Sequence, residues 1–168
     1  ADRKRIAADR QTVWRRWRGA DICAFREVEA SARSPAAQRR DPGQGDAHME
    51  KVTGIGGVFF RAKDPDALAK WYAAILGIDG LPTIWCQSAG PTVLAPFGQD
   101  TDYFDRPEQQ WMINFRVDDL DLMTAQLRAQ NITVIAKAEW TSEAGRFARI
   151  HDPEGNPIEL WEPPASAT

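Results

Sequence analysis

From Thr53 onward, apolar and polar positions run through the same order twice. The first copy reads GVFFRAKDPDALAKWYAAILGI from Gly57 to Ile78, and the second reads MINFRVDDLDLMTAQLRAQNI from Met112 to Ile132. An offset of 55 aligns Phe60 with Phe115, Arg61 with Arg116, Asp64 with Asp119 and Asp66 with Asp121. An ordered self-similarity of this kind predicts a repeated structural unit. In each copy a short apolar run suited to a strand leads to an aspartate, after which apolar residues recur at helical spacing. Asp64 is placed to cap a helix, with Pro65 at its first position. Leu68, Trp71, Tyr72 and Ile75 then form one apolar face, and Gly77 is a stop. In the second copy Asp119 caps, Leu120, Met123 and Leu127 face inward, and Asn131 ends the helix. Trp71 and Met123 are read as core packing.

Short β-type runs follow each helix, separated by turn residues. The first copy offers Pro82–Gln87 and Pro91–Phe97 around Ser88-Ala89-Gly90. The second offers Ile132–Trp140, Arg146–His151 and Asn156–Glu162, with a turn at Asp152-Pro153-Glu154-Gly155. Each unit is thus a βαβββ module, over residues 52–98 and 110–163, joined by the acidic connector Gln99–Gln110. The expected class is α+β. Two such modules paired about a pseudo-twofold axis bend a mixed sheet into a cleft.

Charge separates this region from what precedes it. The 168 residues carry 21 Lys+Arg and 24 Asp+Glu, a net charge of −3. Residues 1–48 hold 11 basic and 7 acidic residues, a net of +4, whereas residues 49–168 hold 10 and 17, a net of −7. Linker signals at Ser34-Pro35 and Asp41-Pro42-Gly43 precede Met49, a candidate initiator. Residues 1–48 are read as a weakly ordered or partly helical basic extension, and 49–168 as the folding unit. A nucleic-acid role for Arg15, Arg16 and Arg18 with Trp14 and Trp17 is disfavoured, because acids are interspersed and the domain is acidic. No apolar run reaches the roughly 18 residues of a membrane span. Cys23 and Cys86 have neither metal nor redox spacing, so a disulfide framework is not expected and the default setting is reducing and cytoplasmic.

The run IHDPEGNPIELWEP at Ile150–Pro163, with the two strand–helix signatures, resembles the vicinal oxygen chelate superfamily. That superfamily includes glyoxalase I, bleomycin-resistance proteins and extradiol dioxygenases. The resemblance covers about residues 52–163 and implies the paired-module fold, but one scaffold hosts many functions. It also implies a homodimer, and a divalent metal held by residues of the first and last strands of each module. On that pattern the ligand positions are Gly57, Val93, Met112 and Glu159, converging on one point. Only Glu159 is a suitable donor, and a catalytic metal needs about three protein ligands. The expectation is therefore no metal and no other cofactor. His151 with Glu159, helped by Cys86 or Asn114, is the only alternative set, and His151 is read as packing beside the turn.

Strand alternation gives the cleft lining without a metal. Phe59 and Arg61 follow from Gly57, Asn114 and Arg116 from Met112, Trp161 from Glu159, and Phe147 and Arg149 from His151. Ile158 and Leu160 turn the other way as core. Aromatic walls with few polar anchors suit a small organic ligand. Glu159 is the candidate catalytic group, as an acid or base, set against an ion pair with Arg61 or Arg116. The leading expectation is a metal-independent binding protein for a small aromatic or zwitterionic molecule. The alternative is a lyase, isomerase or dioxygenase with a rearranged metal site, or a metal-free acid/base centred on Glu159.

Overall fold

The structure is a computed structural model that describes residues 51–78 and 84–165. The basic extension over residues 1–48 and the start of the Pro82–Gln87 run lie outside the described residues. Helix α1 covers Pro65–Leu76 and is followed by strand β1 (Ile113–Arg116) and helix α2 (Leu120–Ala129). A 3₁₀ turn (Ala138–Trp140), β2 (Thr141–Ser142), β3 (Gly145–His151) and β4 (Pro157–Glu162) complete the chain. The sheet order is β1-β4-β3-β2, with β1 parallel to β4 and the other pairs antiparallel. The second module thus has its helix followed by strands that fold back beside β1.

Both helices start as the sequence predicts. The Asp64 carboxylate accepts the Ala67 N–H at 3.0 Å, and Pro65, which has no N–H to satisfy, opens α1. Gly77 closes it in the left-handed region at φ 66°, where a side chain would strain the backbone. Asp119 accepts from the Leu122 N–H at 2.8 Å, and Glu162 of β4 takes the Leu120 N–H at 2.7 Å. Sheet and helix therefore share the work of satisfying the first turn of α2.

Alternation along β3 and β4 decides what is buried. Ala148, Ile150, Ile158 and Leu160 are fully buried and meet Leu120 and Leu127 of α2 and Leu68 and Tyr72 of α1. Each buried Ile or Leu contributes on the order of 1.5–3 kcal/mol. Trp71 and Met123 pack partly buried against this cluster.

The DPEGNP turn fastens α1 to the sheet. Buried Asp152 accepts the N–H groups of Glu154 and Asn156, the Asn156 amide and the Tyr72 hydroxyl. The burial of Tyr72 itself, and then the Asp152 carboxylate, raise its pKa above the ordinary value. Glu154 reaches back to the N–H groups of Lys63 and Asp64, at 2.8 to 3.0 Å. Those donors lower its pKa below the usual carboxylate value.

The first copy departs from expectation. Residues 51–61 and 84–98 form no strand, so only the second module's sheet is present among the described residues. Gly54, Gly56 and Gly57 interrupt the first run, and Pro91 and Pro96 remove donors from the last. Val52, Phe59, Val93 and Leu94 are left largely exposed. Of the predicted strand Ile132–Trp140, only Ile135 pairs, exchanging two hydrogen bonds with Arg149. Cys86 is disulfide-bonded.

Candidate functional site

The face of the sheet away from the helices carries Asn114 on β1, Phe147, Arg149 and His151 on β3, and Glu159 and Trp161 on β4. Register places Asn114 and Arg149 on either side of Glu159, and Phe147 opposite Trp161. Phe147 and Trp161 stack 6.2 Å apart with their planes 5° from parallel. The Trp161 indole N–H donates to the Ala144 carbonyl at 2.8 Å. Gly145, at φ 114°, leaves room for that ring, since a Cβ there would meet both it and the Glu162 carbonyl.

Glu159 is 5% exposed and Arg149 8%. An unpaired carboxylate at that depth would be costly, and here three donors satisfy it. Asn114 Nδ2 donates at 2.9 Å, the Tyr103 hydroxyl at 2.8 and 3.0 Å, and Arg149 through Nε at 3.3 Å and Nη2 at 3.4 Å. The ion-pair partner of Glu159 is thus its cross-strand neighbour Arg149 (not Arg61 or Arg116, as the sequence suggested). The guanidinium lies 4.3 Å from the Tyr103 ring and 5.0 Å from that of Trp140.

Tyr103 comes from the connector, which sequence reasoning treated as a spacer. Arg149 Nη1 holds the Tyr103 carbonyl at 2.9 Å, and Asp105 bonds His151 at 3.0 Å. Arg106 donates to the Gly155 carbonyl at 3.1 Å. Burial, and then Glu159, raise the Tyr103 pKa, so the phenol remains a donor at neutral pH. Trp140 and Tyr103, with Glu139, Ser142, Phe147 and the Arg149–Glu159 pair, line an open cavity of about 200 Å³. Aromatic composition in Asp102-Tyr103-Phe104-Asp105 was the only signal that could have found this contribution.

Other expected residues stand elsewhere. Phe59 is 86% exposed, and Arg61 is exposed too. Met112 precedes β1 and is half-buried, while Asn114, two residues on, is the one opposite Glu159. Arg116 donates to the carbonyls of Ser88 and Ala89 at 2.7 and 3.1 Å, fastening that turn to β1. Of the four positions Gly57, Val93, Met112 and Glu159, only Glu159 is buried. Val93 is 69% exposed, against 5% for Glu159.

A divalent metal does not fit the donors that are present. The Glu159 oxygens already accept from three side chains, and the nearest charge is a guanidinium, which repels a cation. Among the described residues no group of three His, Cys, Asp or Glu side chains is arranged to hold a metal ion. His151 is engaged by Asp105 instead of joining Glu159.

The described residues thus form an α+β fold, a four-stranded mixed sheet backed by helices with a polar centre on its open face. The sequence model of the glyoxalase-like domain family matches residues 57–161. The chain belongs to that family, and through it to the vicinal oxygen chelate superfamily. Among solved structures it is similar to TnmS3, an antibiotic binding protein from Streptomyces sp. CB03234. Identity is 27%, coverage 60% of this chain and 88% of that one, and the TM-score 0.39. It is also similar to a glyoxalase/bleomycin resistance protein from Streptomyces sp. CB03234, with 26% identity, 59% and 91% coverage and a TM-score of 0.37. No curated protein matches the chain. No helix among the described residues is long and apolar enough to cross a membrane.

Proposed function

We propose that this protein binds a small, partly aromatic organic molecule on the open face of the sheet, without a divalent metal. The observation that carries this reading is the buried Glu159–Arg149 pair beside Tyr103, Trp140 and Phe147, with Trp161 stacked on Phe147. Aromatic area supplies affinity and the polar pair fixes orientation. Asn114 and Arg149 hold Glu159 in place, which suits an anchor better than a proton-transfer group whose oxygens must be free to reach substrate. Phe147 and Trp161 form the apolar wall.

The same reading includes a homodimer. Val52, Val58, Phe59, Val93 and Leu94 are apolar and more than half exposed, a pattern that association would relieve. A second copy laid over these segments would bring Phe59 and Arg61 under cover. Sedimentation at increasing concentration is expected to give a dimer, and a monomer at all concentrations refutes that part.

Metal analysis of the purified protein, followed by titration with Zn²⁺, Ni²⁺, Mn²⁺ and Fe²⁺, tests the main proposal together with mass spectrometry of co-purifying small molecules. The expected result is an organic ligand lost in Glu159→Gln, with metal well below one ion per chain. Stoichiometric metal bound through Glu159 overturns it, as does turnover that vanishes in Glu159→Gln while the fold survives.

A further inference from the structure

The Tyr103 side chain has the environment that a bound ligand's ring would have. Its ring stacks on Phe97 at 4.5 Å with an interplanar angle of 21°, and the Arg149 guanidinium lies 4.3 Å from its centre. Its hydroxyl is shared between the two oxygens of Glu159, at 2.8 and 3.0 Å. This is recognition of a planar ring by stacking and by a cation, with a carboxylate reading one O–H donor. The backbone beneath is pinned independently of the ring. The Tyr103 N–H donates to Thr101 Oγ1, its carbonyl accepts from Arg149, Asp105 is tied to His151, and Arg106 to Gly155. The side chain can therefore rotate away while the connector stays in place.

We propose that the position filled by the Tyr103 phenol is the aromatic subsite of the cleft, and that the ligand is a planar phenol which displaces it. The proposal rests on the small-molecule reading above and names the ligand's class. The arriving ring takes the place beside Phe97 and Arg149 and donates its O–H to Glu159. Further fused rings extend into the adjoining cavity of about 200 Å³. That cavity alone is smaller than the roughly 300–1,000 Å³ usual for ligand pockets. Departure of the tyrosine ring, which lines that cavity, adds the ring's own volume to it. Tyr103 is then a resident competitor, which keeps the Glu159–Arg149 pair satisfied in the empty protein.

The test uses 2-naphthol and its methyl ether, which lacks the donor, with calorimetric titration of wild type, Tyr103→Phe and Tyr103→Ala. A displaced competitor predicts tighter 2-naphthol binding in both variants. The gain should be about fivefold for Tyr103→Phe, which loses one hydrogen bond but keeps the ring, and about tenfold or more for Tyr103→Ala. The ether should bind Tyr103→Ala at least about tenfold more weakly than the phenol. If wild type binds and both variants bind equally or more weakly, Tyr103 is a wall of the site; the displacement idea is then wrong while the binding function stands. Equal binding of phenol and ether by Tyr103→Ala overturns the phenol assignment. Absence of 2-naphthol binding by all three proteins overturns the subsite, whereas the metal and co-purification measurements judge the parent reading separately. Tyr103→Phe retains the packing, so it answers the question even if Tyr103→Ala fails to fold.

Discussion

The two copies of the repeat share a sequence pattern and differ sharply in structure. The second copy turns its pattern into β1, α2 and the strands that flank β4, with Ile158 and Leu160 at zero exposure. Among the described residues, the first copy contributes α1 and no strand, and its Leu94 is 88% exposed. Both helices are capped by aspartate in the same way, so local signals alone do not explain the difference. Strands need partners, and β4 has one on each side, whereas the glycine- and proline-interrupted runs of the first copy have none in the described chain. The first copy's helix is held by the second copy's turn, through Asp152 and Glu154. A helix can be specified within a dozen residues and then borrow its anchorage; a strand cannot.

Substitutions can break that asymmetry, and the largest effect is expected in the shared core. Leu160→Ala should lower stability by about 4 kcal/mol by emptying space between the sheet and both helices, read from urea unfolding. Asp152→Ala should cost about 3 kcal/mol, because it leaves the Tyr72 hydroxyl and two backbone N–H groups without their acceptor. Hydrogen exchange should then show α1 loosening before the sheet. Exchange that rises equally in both would mean that α1 has other anchorage. Gly145→Ala should cost about 2 kcal/mol, through its positive φ and the collision with Trp161, and near-ultraviolet dichroism should report the displaced indole.

A smaller effect is expected from Glu154, and it depends on pH. The N–H groups of Asp64 and Lys63 lower its pKa in the folded protein. The stability it contributes is therefore fully present above its ordinary unfolded pKa and is lost as pH falls through the lowered folded value. Glu154→Gln should unfold at lower urea than wild type at neutral pH, and the gap should close in acid as pH falls through the lowered folded value. A gap that persists in acid would show that charge is not its source. The smallest change belongs to the first copy's exposed run, where Leu94→Ala should shift stability by no more than about 0.5 kcal/mol. On dilution the same variant should dissociate more readily than wild type if Leu94 lies in a dimer contact. A core-sized loss on unfolding in the monomer would instead place Leu94 inside the fold.

Much of this molecule follows from local rules. Asp64 and Asp119 before apolar periodicity announce both helices, and alternation in PIELWE assigns Ile158 and Leu160 to the core and Glu159 and Trp161 to the other face. Those features depend on contacts a few residues apart, or on a pleat of period two. Three outcomes lay beyond such reasoning, and each depends on groups distant along the chain. The parallel register brought Asn114, and not Met112, opposite Glu159. A connector with no regular pattern delivered Tyr103 to the same carboxylate across 56 positions. Arg149 became the charge partner because antiparallel pairing of β3 with β4 placed it alongside. A single chain carries the period of each strand, but not which strand will lie next to it or at what offset. Those choices are made when nonlocal burial and hydrogen bonding are satisfied together, and the composition of the site is settled at that moment.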